Sequence, residues 1–366
     1  MGFDRGSVSF RLFYLTKTFG PTLVERFAAH AAPPIETLSH EPIQGWVTGR
    51  HLLDTRLTEE SCVFGSYLHA SLMRAERKVP EALLRAHSRL EEEVQLRARN
   101  ATSLPRQVRS EIRDAIFERL LPSMPPTLTG LPVVVDFRND RVLAGTMGDQ
   151  QVERFSRAFR ETAGVMPVVL NAETAALKRK QVNSRDVFAV SFSPDPELPP
   201  DADVSLGMDF LTWLWWWWEV EGGIFRLEKG GPQFGMILEG PVTFYREGQG
   251  AHEAVLRKGN PFDSREAGIA LLGGKRVKRA KFTLAQGEIL WSATVDANFG
   301  FRALKLPKSE QIDVSGQFQE RMLHIETFVD VFLGLYDRFL DQRMAPATWK
   351  KTVASMRAWV AKRARV

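Results

Sequence analysis

The sequence is poor in cysteine, in long apolar runs and in catalytic signatures. Its 366 residues hold one cysteine, Cys62, which excludes an intrachain disulfide and a thiolate metal site and suits a reducing compartment; cytoplasmic residence is expected. The most apolar window, Phe210–Val220, is far short of the roughly 20 residues a membrane-spanning helix needs. Met1–Arg11 carries charges and no long apolar core, unlike a signal peptide. No GxGxxG, Walker A, HExxH, GxSxG or CxxC pattern occurs. Gly273-Gly274-Lys275 lacks both the upstream glycine and the following hydroxyl of a phosphate loop. His30, His69, His87, His252 and His324 show no ligand spacing with carboxylates. Asp136, Asp140, Glu288 and Asp296 fall near strand ends, compatible with a nuclease metal site in a loose sense. No catalytic residue, metal or cofactor is assigned, and no membrane partner is expected.

What is present reads as a globular chain of two or three folding units. Hydrophobic residues make up 44% and charged ones 25%, the balance of an ordinary folded protein. Lys and Arg number 49 against 44 Asp and Glu, for a net charge of +5. So small an excess attracts nothing unless it is clustered.

The periodicities predict a mixed α+β chain with antiparallel sheets and amphipathic helices. Val8–Leu15 reads as a strand and Thr22–Ala31 as a helix. Cys62–Met73 reads as a strand pair or one long strand, and Pro80 opens a helix with Leu83, His87, Leu90 and Val94 on one face. A second helix spans about Arg106–Leu121. Pro132–Phe137 and Arg141–Gly145 form a hairpin around Asn139 and Asp140, followed by a helix Asp149–Ala163 and a strand Pro167–Leu170. Residues 193–204, rich in Pro and Asp, are the expected linker between an N-terminal α+β region (1–192) and a β-rich region (205–344).

Beyond the linker the sequence predicts short strands over Gly223–Arg257. A helix follows with a capping box from Asp263 to Glu266, then strands Lys275–Leu284, Glu288–Val295 and Phe299–Leu306. Phe318, Met322, Ile325, Val329, Phe332, Tyr336 and Phe339 repeat at steps of four and three, the seam of an amphipathic helix. The basic tail, 345–366, is either a flexible arm or a helix whose stripe is Trp349, Val353, Met356 and Val360.

Two features invite a functional reading. Lys275, Arg276, Lys278, Arg279 and Lys281 lie within seven residues, with no acid between them. If Ala280, Phe282 and Leu284 face the core, Lys275, Arg279 and Lys281 face outward, with Arg302 placed to join them. Their strand spacing, about 6.6 to 6.8 Å per two residues, is on the scale of phosphate separation along DNA. The alternative is a solvated edge whose cations discourage aggregation. Trp213, Trp215, Trp216, Trp217 and Trp218 are either a base-stacking platform or core and subunit contacts, since successive indoles radiate in all directions from a regular element.

The order of elements resembles the recombination-associated protein RdgC family of bacteria. The anchors are the opening strand with Arg11, Gly45-Trp46-Val47, Arg77-Lys78-Val79-Pro80, Leu120-Leu121-Pro122, Val133–Asp136 and Gly164–Val169. To these are added Arg257-Lys258-Gly259-Asn260, Asp263–Glu266, Gly274-Lys275 and Arg302-Ala303-Leu304-Lys305. The resemblance implies a homodimer closed into a ring around double-stranded DNA, with little sequence preference. It also implies antagonism of RecA by occupying the duplex, and a nucleoid-associated place in the cytoplasm. Lys258, Asn260 and Lys275 carry over as DNA-facing candidates. Arg276, Lys278, Arg279 and Lys281 join them from the basic block, Arg257 and Arg302 from the same sheet-face argument, and Lys78 and Lys305 from the anchors. The competing expectations are a metal-dependent exonuclease and a protein-interaction scaffold built on the tryptophans.

Overall fold

Strand β1 (Val8–Tyr14) carries Val8, Phe10 and Leu12 on one side and Phe13 on the other, and all four are buried. In this computed structural model, which describes residues 2–201, 204–248, 252–257, 261 and 264–364, β1 lies in the middle of one antiparallel sheet. The other strands are β2 (Ile43–Thr48), β3 (Val63–Phe64), β4 (Tyr67–Arg77), β5 (Pro126–Asp136), β6 (Arg141–Ala144), β7 (Val168–Val169), β8 (Ile224–Arg226), β9 (Gln233–Tyr245), β10 (Glu253–Leu256), β11 (Arg276–Gln286), β12 (Ile289–Asp296) and β13 (Gly300–Lys305). The order is β10-β9-β11-β12-β13-β1-β6-β5-β4-β2, with β3, β7 and β8 pairing off this path. The sheet therefore runs across the chain on both sides of residues 193–204: Arg11 pairs with Gly300 on one side and Ala144 on the other.

The helices are α1 (Leu23–Ala29), α2 (Glu59–Cys62), α3 (Glu81–Ala98), α4 (Arg106–Leu120), α5 (Asp149–Ala163), α6 (Ala172–Lys180), α7 (Leu206–Glu221), α8 (Arg265–Leu272), α9 (Val314–Arg343) and α10 (Pro346–Arg363). Val8, Phe10 and Leu12 face a large core shared with α6, α7, α9 and α10. Phe13 faces a second core, closed by α1 and α5 through Phe27, Phe155 and Phe159. The hairpin β5–β6, α5 and β7 follow the ββαβ order read from sequence. Asp136 accepts from the backbone N–H groups of Arg138 (2.9 Å) and Asn139 (3.3 Å) to hold the turn.

The tryptophan run forms α7. Such a helix, apolar all round, has to be buried on every side; Trp213, Trp215, Trp216 and Trp217 are at most 5% exposed. Helix and sheet come close at Gly207, where a Cβ would stand 1.9 Å from the Ala297 carbonyl oxygen. The stacking-platform reading is thereby overturned for these four indoles. The tail after Pro346 is helix α10, buried through Trp349, Val353, Met356 and Val360, so the flexible-arm alternative falls too. Arg363 and Trp359 both bond Glu219 of α7.

Helix α9 buries all seven seam residues. It is joined to the N-terminal strands by a polar cluster: Tyr67 Oη donates to Glu326 Oε1 (2.8 Å), Arg138 reaches Tyr67 Oη (2.7 Å) and Glu326 Oε2 (3.1 Å), and Arg141 pairs with Asp330 (2.7 Å).

Two local readings need correction. Helix α3 buries Leu84 and Ser88 instead of the stripe expected from sequence; Leu90 and Val94 are 62% and 52% exposed. The reason is tertiary: α3 packs on α4, and their small core of Leu84, Leu104, Ile112 and Ile116 leaves the rest of the stripe open. The N-cap of α8 is Ser264, whose Oγ accepts from Ala267 N–H at 3.4 Å. Asp263, the expected cap, lies outside the described residues.

Candidate nucleic-acid interface

The face of the sheet that α1 and α5 cover along its N-terminal strands is left partly solvent-exposed along β11, β12 and β13. On β11, Ala280, Phe282 and Leu284 turn into the core while Arg279, Lys281 and Thr283 turn outward. Register then lines up rows across the strands. Glu239, Lys281, Thr294 and Arg302 make one; Ile237, Thr283, Ser292 and Lys305 make the next. Rows lie about 6.6–6.8 Å apart along the strands, and neighbours within a row about 4.7–4.9 Å apart.

Strict alternation would not produce this face. Arg302 and Lys305 are three residues apart and belong on opposite sides of a regular strand. A register shift in β13 opposite Ser292 and Thr294 inserts one residue, so Phe301 and Leu304 are both buried and Arg302 and Lys305 both point outward. Ala303 takes the strain of that bulge with φ 49°, and its N–H is bonded by Ser9 Oγ at 2.8 Å. A second shift, between Val277 and Arg279, puts Lys278 and Arg279 side by side outside while Val277 and Ala280 are both buried. Bulges re-aim side chains in this way near functional surfaces.

Each cation has a definite setting. Lys278 Nζ pairs with Glu253 at 2.6 Å and sits 4.5 Å from the Tyr245 ring centroid. Lys281 Nζ pairs with Glu239 at 2.6 Å, and Arg302 Nε with Asp296 at 3.4 Å. The hydrogen bonds from Lys281 and Lys278 hold the Glu239 and Glu253 carboxyls below the usual carboxylate range. Arg257, just past β10, Lys275, Arg279 and Lys305 have no carboxylate partner among the described residues.

Two candidates read from sequence, Arg276 and Lys78, do not join the face. Arg276 is only 6% exposed and turns into the protein, where it donates to Asp209 Oδ1 (2.8 Å) and Asp201 Oδ2 (2.6 Å). Burial there pushes the Asp209 carboxyl up, opposed by the charge of Arg276. Arg276 is thus a structural cation tying β11 to α7. Lys78, which follows β4, pairs with Glu76 at 2.5 Å. Four strand steps separate β4 from β13, roughly 19 Å across the sheet. Arg11 is no free cation either, since it bonds Met147 O (3.1 Å) and Asp149 (3.2 Å). Lys258 and Asn260 lie outside the described residues.

The basic block does lie on a strand, as read, but the reading missed what lies between its charges. Thr283, Ser292 and Thr294 add hydroxyls to the face, and Glu239, Glu253 and Asp296 add acids. On β12, Ser292 and Thr294 alternate with buried Trp291, Ala293 and Val295, a period-two signal the sequence carries. The acids carried no comparable signal, because their partners are set by cross-strand register.

A face of fixed cations and hydroxyls on a sheet suits phosphate oxygens. A family model described as "Putative exonuclease, RdgC" matches residues 9–180. Over that stretch the chain is similar to the RdgC family. The RdgC match runs from β1 through α6, so it takes in the strand that pairs with β13 but ends before the basic rows themselves. No curated protein matches the chain. Among the described residues, no group of three or more His, Cys, Asp or Glu side chains is arranged to hold a metal ion, and no helix is long and apolar enough to cross a membrane.

Proposed function

We propose that the protein binds double-stranded DNA without sequence preference through the open face of β11–β13, as a homodimer whose two faces enclose the duplex. The observation that carries this reading is the pair of bulges that turn Arg279, Lys281, Arg302 and Lys305 to one side of the sheet, with Thr283, Ser292 and Thr294 between them. Such groups neutralise phosphates and bond their oxygens, contacts that fix a duplex in place and carry no base information. The RdgC match supports a role in recombination, in which occupation of the duplex opposes RecA. Enclosure by two copies accounts for DNA binding by a chain of net charge only +5, because a few basic rows then act on one duplex together.

The test is a titration of a fluorescent linear duplex across a salt series, with wild type and with Lys281→Ala/Arg302→Ala/Lys305→Ala. Log K should fall by about 0.9 per log unit of salt for each phosphate neutralised, and the triple variant, which loses three cations from each protomer, should bind all sequences more weakly with a slope shallower by up to about 5. An unchanged slope would show that the face does not touch DNA. Shortening of the duplex with magnesium or manganese, abolished by EDTA, would favour the exonuclease of the family description instead.

A further inference from the structure

We infer that Glu239 and Glu253 are built-in competitors of the DNA backbone, tethered anions that hold Lys281 and Lys278 until a phosphate displaces them. This rests on the duplex-binding reading above and adds a regulation of affinity to it. Two lysines of the proposed contact surface are already engaged in the free protein, each with its ammonium 2.6 Å from a carboxylate oxygen. Both pairs are partly open to solvent, with side-chain exposures of 39% and 48% for Lys278 and Glu253, and 32% and 39% for Lys281 and Glu239. A pair so exposed is weak and exchanges partners readily.

The carboxylates are not all alike. Asp296 also accepts the backbone N–H groups of Asn298 (3.1 Å) and Gly300 (3.0 Å), so it is fixed in the β12–β13 turn and positions Arg302. Among the described residues, Glu253 accepts from Lys278 alone, and Glu239 from Lys281 and from the Thr283 hydroxyl at 3.1 Å. These two can swing away while their lysines take phosphate oxygens.

Tethering makes each glutamate a competitor at high effective concentration. It also cancels charge that would otherwise draw in the duplex. The consequence is a face that orders its lysines without DNA yet binds weakly enough to let go. The same device favours phosphate, which spreads its charge over several oxygens along a continuous rail, above an isolated carboxylate ligand that offers no more than the glutamate already in place.

The experiment compares wild type, Glu239→Gln/Glu253→Gln and the control Glu288→Gln by anisotropy with a 20-base-pair fluorescent duplex over a salt series, after thermal melts confirm folding. Glu288 is exposed on the β11–β12 turn, away from the rows, and has no ion-pair partner among the described residues. The double variant should bind at least five-fold more tightly at low salt and dissociate more slowly, with a salt slope steeper by up to about 3.6, two phosphate equivalents from each protomer. Glu288→Gln should change affinity less than two-fold. Wild-type binding with no gain in the double variant overturns the inference alone, as does an equal gain from Glu288→Gln, which would make net charge the cause. If the double variant fails to fold, each single variant is titrated in its place under the same criterion, with half the slope change. Absence of wild-type binding at low salt overturns the duplex reading and the inference with it.

Discussion

Arg276 and Lys281 are five positions apart on one strand, yet they do opposite things. In the sequence both belong to a run of five cations. In the fold Arg276 is buried between Asp209 and Asp201, and Lys281 stands on the open face beside Glu239. Removing one partner from a buried ion pair leaves the others uncompensated and costs about 3–5 kcal/mol; an exposed pair is worth about 0–1 kcal/mol. Arg276→Ala is therefore expected to lower unfolding free energy in urea by about 3 kcal/mol or more, while Lys281→Ala changes it by less than about 1 kcal/mol. Equal effects would contradict the burial assignment. The sequence could not separate the two residues because Asp209 lies 67 positions from Arg276, and no local period reports a partner that distant.

Among the elements, the helices and hairpins were legible where their apolar period was long and their faces met the core directly. Helix α5 spans the residues expected of it, and α9 and α10 bury the expected stripes. The stripe of α3 was legible as a pattern but not as burial, since one helix partner covers only part of it. For helix α7 burial was one of two readings and helix was not legible at all: an unbroken apolar run has no period to read. The bulges were invisible for the same reason, because each breaks the two-residue alternation on which strand reading depends. Ala303 gives the bulge in β13 a testable mark. Its φ of 49° lies in the left-handed region, where a Cβ costs roughly 1–2 kcal/mol, against about 0.5–1 kcal/mol for the greater freedom glycine loses on folding. Ala303→Gly should raise the urea midpoint, with a gain of about 0.5–1 kcal/mol and unchanged DNA affinity. A loss of stability would show that the backbone there is not strained.

At the scale of the whole molecule, strand order was the part that stayed hidden. Val8 pairs with Leu304, so the sheet is continuous only when the first strand meets one nearly 300 residues later, an arrangement no window of sequence contains. The cluster of Tyr67, Arg138 and Glu326 is a second long-range join, and it gives global stability a pH dependence. Burial pushes the Glu326 carboxyl up from 4.5 to about 7, with neighbouring Asp136 adding to the rise and Tyr67 and Arg138 opposing it. Between those values the folded protein keeps a proton that the unfolded chain has lost. This contribution is fully present below about pH 4.5 and is lost as pH rises through about 7. Unfolding free energy from urea titrations should thus fall from pH 5 to pH 7.5, and Glu326→Gln should flatten that fall. Superimposable pH profiles for the two proteins would exclude Glu326 as its source.

The exposed side of β11–β13 is the reverse of one of the best-packed parts of the interior, where Phe282, Trp291 and Phe301 are at most 3% exposed. Because neighbouring side chains point opposite ways, charge on the wet surface can be rewritten residue by residue while the interior beneath keeps its shape. Electrostatic character and architectural integrity are separate variables in this region, so the grip on a polyanion is free to drift in strength without endangering the scaffold that presents it.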